Sequence, residues 1–176
     1  MDILPNHKNL RIKGYDYSDA GCYFITVVTE GRRELFGKVQ GDRLHLNAAG
    51  RMVESCMGSL TERFSGLDIS NSVVMPNHVH AILINGNNQN ISEVMRQFKA
   101  ITSRQYRKGI EAKGWAAFDM RLWQRSFYDV IIRNQRMFDF VNNYVTVNPE
   151  RWIYDKMNEY HAANTDEIYI EINKIR

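Results

Sequence analysis

A chain of 176 residues, with 44% hydrophobic and 24% charged side chains, is long enough to bury one core and too short for a second full domain to be expected. Its net charge of +3 and pI near 8.9 lean only mildly toward an acidic partner. No apolar run approaches the ~20 residues that cross a bilayer, and the start "MDILPNHKNLRIKGYDYS" has no hydrophobic signal region, so the sequence predicts a cytoplasmic protein with no membrane contact.

Residues 1–21 are polar and broken by Gly14 and Gly21, and read as an N-terminal arm. "CYFITVVTE" (22–30) is β-branched and aromatic, the pattern of a strand. A turn at 31–33 leads to "LFGKVQGDRLHLN" (35–47), which fits a short irregular strand or hairpin holding His45. Asn47 is placed to cap a helix over 48–64, where Met52, Val53, Cys56, Leu60 and Phe64 recur at helical spacing. Two strands follow, about 67–75 and 77–85, meeting around Pro76 and Asn77.

After the loop "NGNNQN", Asn90 with Glu93 resembles a capping box opening a helix over about 91–109. Ile91, Val94, Met95, Phe98, Ile101 and Thr102 form its apolar stripe, while Arg96, Lys99, Arg104, Arg107 and Lys108 face a single acid, Glu93. "MRLWQRSFYDVII" (120–132) reads as a short strand or loop running into a helical turn. A further helix over 135–148 is expected to stop at Pro149, because the residue before proline is pushed out of the α region. Alternating Ile168, Ile170 and Ile172 in the tail suggest a late edge strand over 167–175. Cys22 and Cys56 form no CxxC spacing and are expected to be reduced, buried and structural. Short antiparallel strands with intervening helices imply an α+β fold, a ferredoxin-like or RRM-like antiparallel sheet with helices packed on it.

The chemistry concentrates in "VVMPNHVHAILIN" (73–85). Side chains alternate along a strand, so His78 and His80 project to one face with Ile82 and Ile84, while Val79, Ala81 and Leu83 point to the other. Two parallel imidazoles suit two ligands on one metal ion; the plainer reading is a pair of core histidines, each with a hydrogen-bond partner. In the helix near residue 140, Tyr144 and Asn148 lie four residues apart, one above the other, on the face continued by Val141 and Met137. A core tyrosine followed by an Asn helix stop is the ordinary version of that pattern. The five bases of the earlier helix suit phosphate contacts, against the plainer reading of a solvated helix face. Arg11, Lys13, Arg32 and Arg33 would extend that track, with Tyr15, Tyr17 or Trp123 stacking unpaired bases, against the plainer reading of Trp115, Trp123 and Trp152 as core or rim aromatics.

Taken together, "GYDYSDAGCYFITVVTEGRRELFG", "MPNHVHAILI", "MRQFKAITSRQ", "LWQRSFYDVIIRN" and "YVTVNP", over most of residues 14–150, resemble the single-tyrosine HUH transposases and, within them, the REP-associated tyrosine transposases of bacteria. The resemblance implies a catalytic domain over 22–150, an extension over 151–176, and action on single-stranded DNA folded into hairpins. It assigns His78, His80 and Asn148 to a divalent metal, Mg²⁺ or Mn²⁺, and Tyr144 to attack on the scissile phosphate with a 5′-phosphotyrosine intermediate. Tyr128 in "SFYDV" is the runner-up nucleophile, ranked lower because its i+4 neighbour, Ile132, cannot coordinate a metal. Insertion-sequence relatives carry Gln where this chain has Asn148, which keeps the amide oxygen, and many carry His where this chain has Val130. Such relatives commonly form dimers, so the resemblance leaves a homodimer open. Two other classes remain on the residues alone: a non-catalytic single-stranded nucleic-acid-binding module of RRM-like fold, and a metal hydrolase that uses water.

Overall fold

The protein is described by a computed structural model over residues 19–86 and 89–158. In chain order it forms β1 (Gly21–Val28), a 3-10 turn (Glu30–Arg32), a hairpin of β2 (Gly37–Gln40) and β3 (Arg43–Leu46), and helices α1 (Ala48–Gly58) and α2 (Leu60–Arg63). Then come β4 (Leu67–Val74), β5 (His78–Asn85), α3 (Ile91–Lys113), β6 (Tyr128–Ile132), α4 (Gln135–Val147) and a 3-10 turn at Trp152–Tyr154. The main sheet has the order β4-β5-β1-β6 with every neighbouring pair antiparallel, the ferredoxin-like arrangement expected.

The central strands β1 and β5 are apolar on both faces because both faces are covered. On one side Tyr23, Ile25 and Val27 join Val79, Ala81 and Leu83 under α1 and α3. On the other, Phe24, Ile82, Val130 and Ile132 pack against Met137, Val141, Tyr144 and Val145 of α4. The histidines stand on this second face, with Thr26 opposite His80 and Val28 opposite His78. Each long helix opens on an asparagine whose side-chain oxygen accepts from free amides of the first turn: Asn47 from Gly50, Asn90 from Ser92 and Glu93, Asn134 from Met137. Glu93 does not close the expected capping box; its carboxylate takes Arg96 and Gln97 instead.

Four expectations are corrected. Residues 128–132 form a strand paired with β1, not a helical turn. Asp129 disguises that strand, since this acid is buried (2% exposed) where the pattern reads as surface. Helix α3 runs past the expected end near 109 to Lys113 and stops at Gly114, in the left-handed conformation; within it Gly109 leaves room for the Trp115 ring, which a Cβ there would meet at 2.1 Å. The helix expected over 48–64 breaks at Ser59. Asn148 keeps helical dihedrals (φ −55°, ψ −40°) despite preceding Pro149. Cys56 is buried and Cys22 half-buried, both as free thiols. The arm residues up to 18 and the edge strand expected over 167–175 lie outside the described residues. Among those described, no helix is long and apolar enough to cross a membrane.

Gly50 marks a close approach: a Cβ there would sit 2.1 Å from the Phe36 carbonyl oxygen, whereas Gly58 at the end of α1 has nothing within 4 Å. Gly50→Ala is expected to cost about 1–3 kcal/mol in urea unfolding, while Gly58→Ala is neutral or stabilising by a few tenths.

Candidate active site

The two imidazoles are held from behind. Asn77, fully buried, donates its amide to the carbonyls of Arg32 (2.9 Å) and Met157 (2.7 Å), which fixes its orientation and turns Oδ1 to His78 Nδ1 at 2.9 Å. A carboxamide oxygen only accepts, so His78 carries its proton on Nδ1 and a lone pair on Nε2. His80 likewise uses Nδ1, at 2.8 Å from the Thr26 hydroxyl, and turns Nε2 toward the Tyr144 hydroxyl at 3.4 Å. The rings lie edge to face with centroids 4.5 Å apart, His80 stacked on Phe24 and His78 against Trp152.

Helix α4 and the segment after it close the cluster. Tyr144 and Asn148 lie on one face, as their spacing predicts, and each is 1% exposed. The Asn148 amide donates to Asp155 Oδ2 at 3.3 Å, leaving Asn148 Oδ1 buried without a hydrogen bond. Asp155 accepts from the Met157 amide at 2.7 Å and lies 3.6 Å from His78 Nε2, which also lacks a hydrogen bond. Burial pushes both histidines below their ordinary range. For His80 the neighbouring His78 ring adds to it; for His78 the Asp155 carboxylate and the Asn148 side chain act in the opposite direction.

The result is a buried cluster rich in acceptors: His78 Nε2 and Asn148 Oδ1, neither of which meets a donor, beside the Asp155 carboxylate, which accepts from the Asn148 and Met157 amides. Leaving such groups unpaired costs roughly 1–3 kcal/mol each, and a cation satisfies them together. Ligand atoms of His78, His80 and Asp155 lie within 4.8 Å of one another, and this nitrogen and oxygen set fits a divalent metal. Sequence reasoning missed Asp155. It lies seven residues beyond Asn148, past a proline and an aromatic pair, and no spacing separates it from the exposed Glu150. Asn77 was read only as part of a turn.

Tyr128 stands on the same face, opposite Thr26, but packs against the cluster of Val28, Met75, Trp152 and Met157. Val130 sits in the apolar cluster around Phe24, Val141 and Tyr144.

The five bases of α3 do not form one surface, and the helix packs on the sheet face away from the histidines. Arg96 forms a bidentate pair with Glu93, both bonds 2.6 Å. Arg107 lies over the Phe118 ring at 5.7 Å. Arg104 and Lys108 line a groove of about 540 Å³ with Met52, Lys113 and Trp115. Lys99 is turned inward, donating to the carbonyls of Gln124, Arg125 and Ser126. Burial, with Arg121 adding to it, brings Lys99 down to about 8. Trp123 is no stacking platform: it is 3% exposed and donates to Thr102 at 2.8 Å.

A ferredoxin-like sheet that presents paired histidines to a helix-borne tyrosine is the HUH endonuclease fold. A family model for IS200-like transposases matches residues 21–148, and the chain belongs to that family. It is 29% identical over 176 aligned residues to an uncharacterized protein of Haemophilus influenzae, covering 88% of this chain and 94% of that one. A solved REP-associated tyrosine transposase bound to a REP hairpin shares the fold with a TM-score of 0.55 at 21% identity, over 76% of this chain and 68% of its own. A structure from Deinococcus radiodurans aligns over 87% of this chain and 100% of its own at 16% identity, with a TM-score of 0.49.

Lys99→Met removes the cation that three carbonyls share. It is expected to cost about 1–3 kcal/mol in urea unfolding.

Proposed function

We propose that this transposase nicks and rejoins single-stranded hairpin DNA, with Tyr144 as nucleophile and His78, His80, Asn148 and Asp155 holding Mg²⁺ or Mn²⁺. The observation that carries this reading is the Tyr144 hydroxyl at His80 Nε2, 3.4 Å away, beside buried acceptors that lack a donor. A divalent ion there supplies positive charge to the scissile phosphate. The chain's own residues do the positioning. Asn77 and Thr26 fix the ring planes, Asp155 aims the Asn148 amide oxygen, and Met137 and Val141 seat α4 on the sheet so that Tyr144 is held rigidly.

The Tyr144 oxygen gives up its proton and bonds to phosphorus as the bond to the 3′ oxygen breaks, and the departing 3′ oxygen takes up a proton, leaving a 5′-phosphotyrosine and a 3′-hydroxyl. The phosphotyrosine keeps the phosphodiester energy, so rejoining needs no ATP. Histidines and tyrosine meet within one chain, which supports a site that works in cis.

The reading extends to the REP-associated branch, with hairpins of palindromic repeats as substrate, because the solved relative at 21% identity is bound to a REP hairpin. Arg104 and Lys108, joined by Lys113 in the groove beside Trp115, are the proposed phosphate contacts, with the exposed Arg96 and Arg107 in support. Such a protein acts where bacterial DNA lies, in the cytoplasm. His78, His80 and Tyr144 are at most 1% exposed, and the segment 151–158 packs on His78 through Trp152 and Asp155, tied down through Asn77 to Met157 and Arg32 to Lys156.

Incubated with Mn²⁺ and labelled hairpin DNA, the wild type is expected to form a covalent adduct that Tyr144→Phe abolishes and Tyr128→Phe retains. Binding without any adduct would leave a nucleic-acid-binding module, and cleavage surviving Tyr144→Phe would indicate water as nucleophile. In calorimetry without DNA, Asp155→Asn and His78→Ala are each expected to weaken Mn²⁺ binding by about tenfold or more, since the first removes the one negative charge among the ligands and the second removes a ligand outright. Unchanged affinity in both variants would reject the ligand set.

A further inference from the structure

Asp155 reaches the histidine pair from the segment that follows α4, and its carboxylate is aimed by a single peptide group. The Met157 amide donates to Asp155 Oδ1 at 2.7 Å, which leaves Oδ2 toward the Asn148 amide at 3.3 Å and His78 Nε2 at 3.6 Å. That N–H belongs to the peptide joining Lys156 to Met157, which is trans and planar, with its carbonyl on the opposite side. The same carbonyl accepts from Arg32 Nη1 at 3.0 Å. The next peptide is held in the same manner: Asn77 donates to the Met157 carbonyl at 2.7 Å, and the Asn158 amide on its other side donates to the Asp155 carbonyl at 2.9 Å. Two donors from elsewhere in the chain thus orient two successive peptides whose N–H groups both point at Asp155.

Arg32 can act this way because its own backbone is fixed. The Thr29 amide donates to the Asn77 carbonyl at 2.8 Å, the Asn77 side chain to the Arg32 carbonyl at 2.9 Å, and the Thr29 hydroxyl to the Arg33 carbonyl at 2.9 Å. Arg32 has φ +55°, a left-handed conformation that residues with a side chain keep only where their surroundings impose it. Glycine suits such a backbone better, as Gly31 (φ +65°) does beside it. The position carries arginine instead, and one of its donors is turned to the protein, where the sequence pattern groups it with Arg33 as a phosphate contact. Bonds inside the segment are local: the Tyr154 amide to Arg151, the Asp155 amide to Trp152, and the Asn158 side chain to Trp152. They shape the turn, and Trp152 rests it on the His78 ring. The long-range bond from Arg32 adds the direction in which the carboxylate faces.

We propose that Arg32 is a positioning residue for the metal site: by holding the Lys156 carbonyl it keeps Asp155 Oδ2 beside His78 Nε2, so that the one negative charge of the ligand set is in place before the ion binds. The inference rests on the ligand set proposed above. It makes Arg32 act on the ion only through Asp155, which a side chain that merely stabilises the fold would not do.

The test measures Mn²⁺ affinity by calorimetry, and amide hydrogen exchange over residues 155–158, on the full chain without DNA. Arg32→Gly suits the left-handed backbone and is expected to keep the wild-type midpoint in urea while Mn²⁺ affinity falls about tenfold, the usual scale for a residue that orients a ligand. Arg32→Met, which keeps the length without the donor, is expected to lose as much; Arg32→Lys, which keeps a donor, retains most of the affinity. The Met157 and Asn158 amides should exchange faster in the Gly and Met variants. Combined with Asp155→Asn, neither of those two should weaken Mn²⁺ further, because the carboxylate they act through is gone. Unchanged affinity in both variants, or the same loss with and without Asp155→Asn, overturns the positioning role alone. A wild type that binds no Mn²⁺, or whose affinity survives Asp155→Asn, overturns the ligand set on which that role rests.

Discussion

The hydrogen bond from His78 Nδ1 to the Asn77 carboxamide oxygen sets the state of the whole site. Asn77 has no freedom to flip, because its amide is spent on the carbonyls of Arg32 and Met157. The oxygen that remains can only accept, so the His78 proton goes to the back of the ring and the lone pair to the front. That single constraint converts a buried histidine from a group that can donate to Asp155 into one that cannot. It also ties three separate pieces of chain to one point: the turn after β1, the histidine strand, and the segment after α4.

Everything else in the fold serves to keep that front face dry and rigid. Val79, Ala81 and Leu83 lock β5 to α1 and α3 from one side, and α4 closes the other with Met137, Val141 and Tyr144. A neutral imidazole pair in such a place is favoured by burial, and a buried carboxylate is not. Asp155 beside His78 Nε2 and Asn148 Oδ1 therefore makes sense as one arm of a cation site, in which negative charge and lone pairs are answered together. The aromatic rings of Phe24 and Trp152 against the two imidazoles limit their rotation, so the ligand atoms need little reorganisation.

Much of this was legible in the chain. The period of two in "HVHAILI" gave the correct faces, and the Tyr144 to Asn148 spacing gave the correct helix side. Where the sequence misled, burial of polar groups was the reason. Asp129 inside β6 made a strand look like a helical turn, and Lys99 on a basic helix looked exposed while it donates to three carbonyls. Asp155 was invisible for a different reason: it is brought to the histidines by a turn whose path no periodicity encodes. Asn77 likewise gains its role only from a partner some eighty residues away, Met157.

The proposed chemistry needs a cation among His78, His80, Asn148 and Asp155. The most direct measurement is the anomalous difference map of a crystal grown with Mn²⁺. It is predicted to show one strong peak bonded to Nε2 of His78 and His80 and to oxygens of Asn148 and Asp155, with Asn77 still on His78 Nδ1. A map with no peak there, with a proton donor or water bridging those atoms instead, would contradict it.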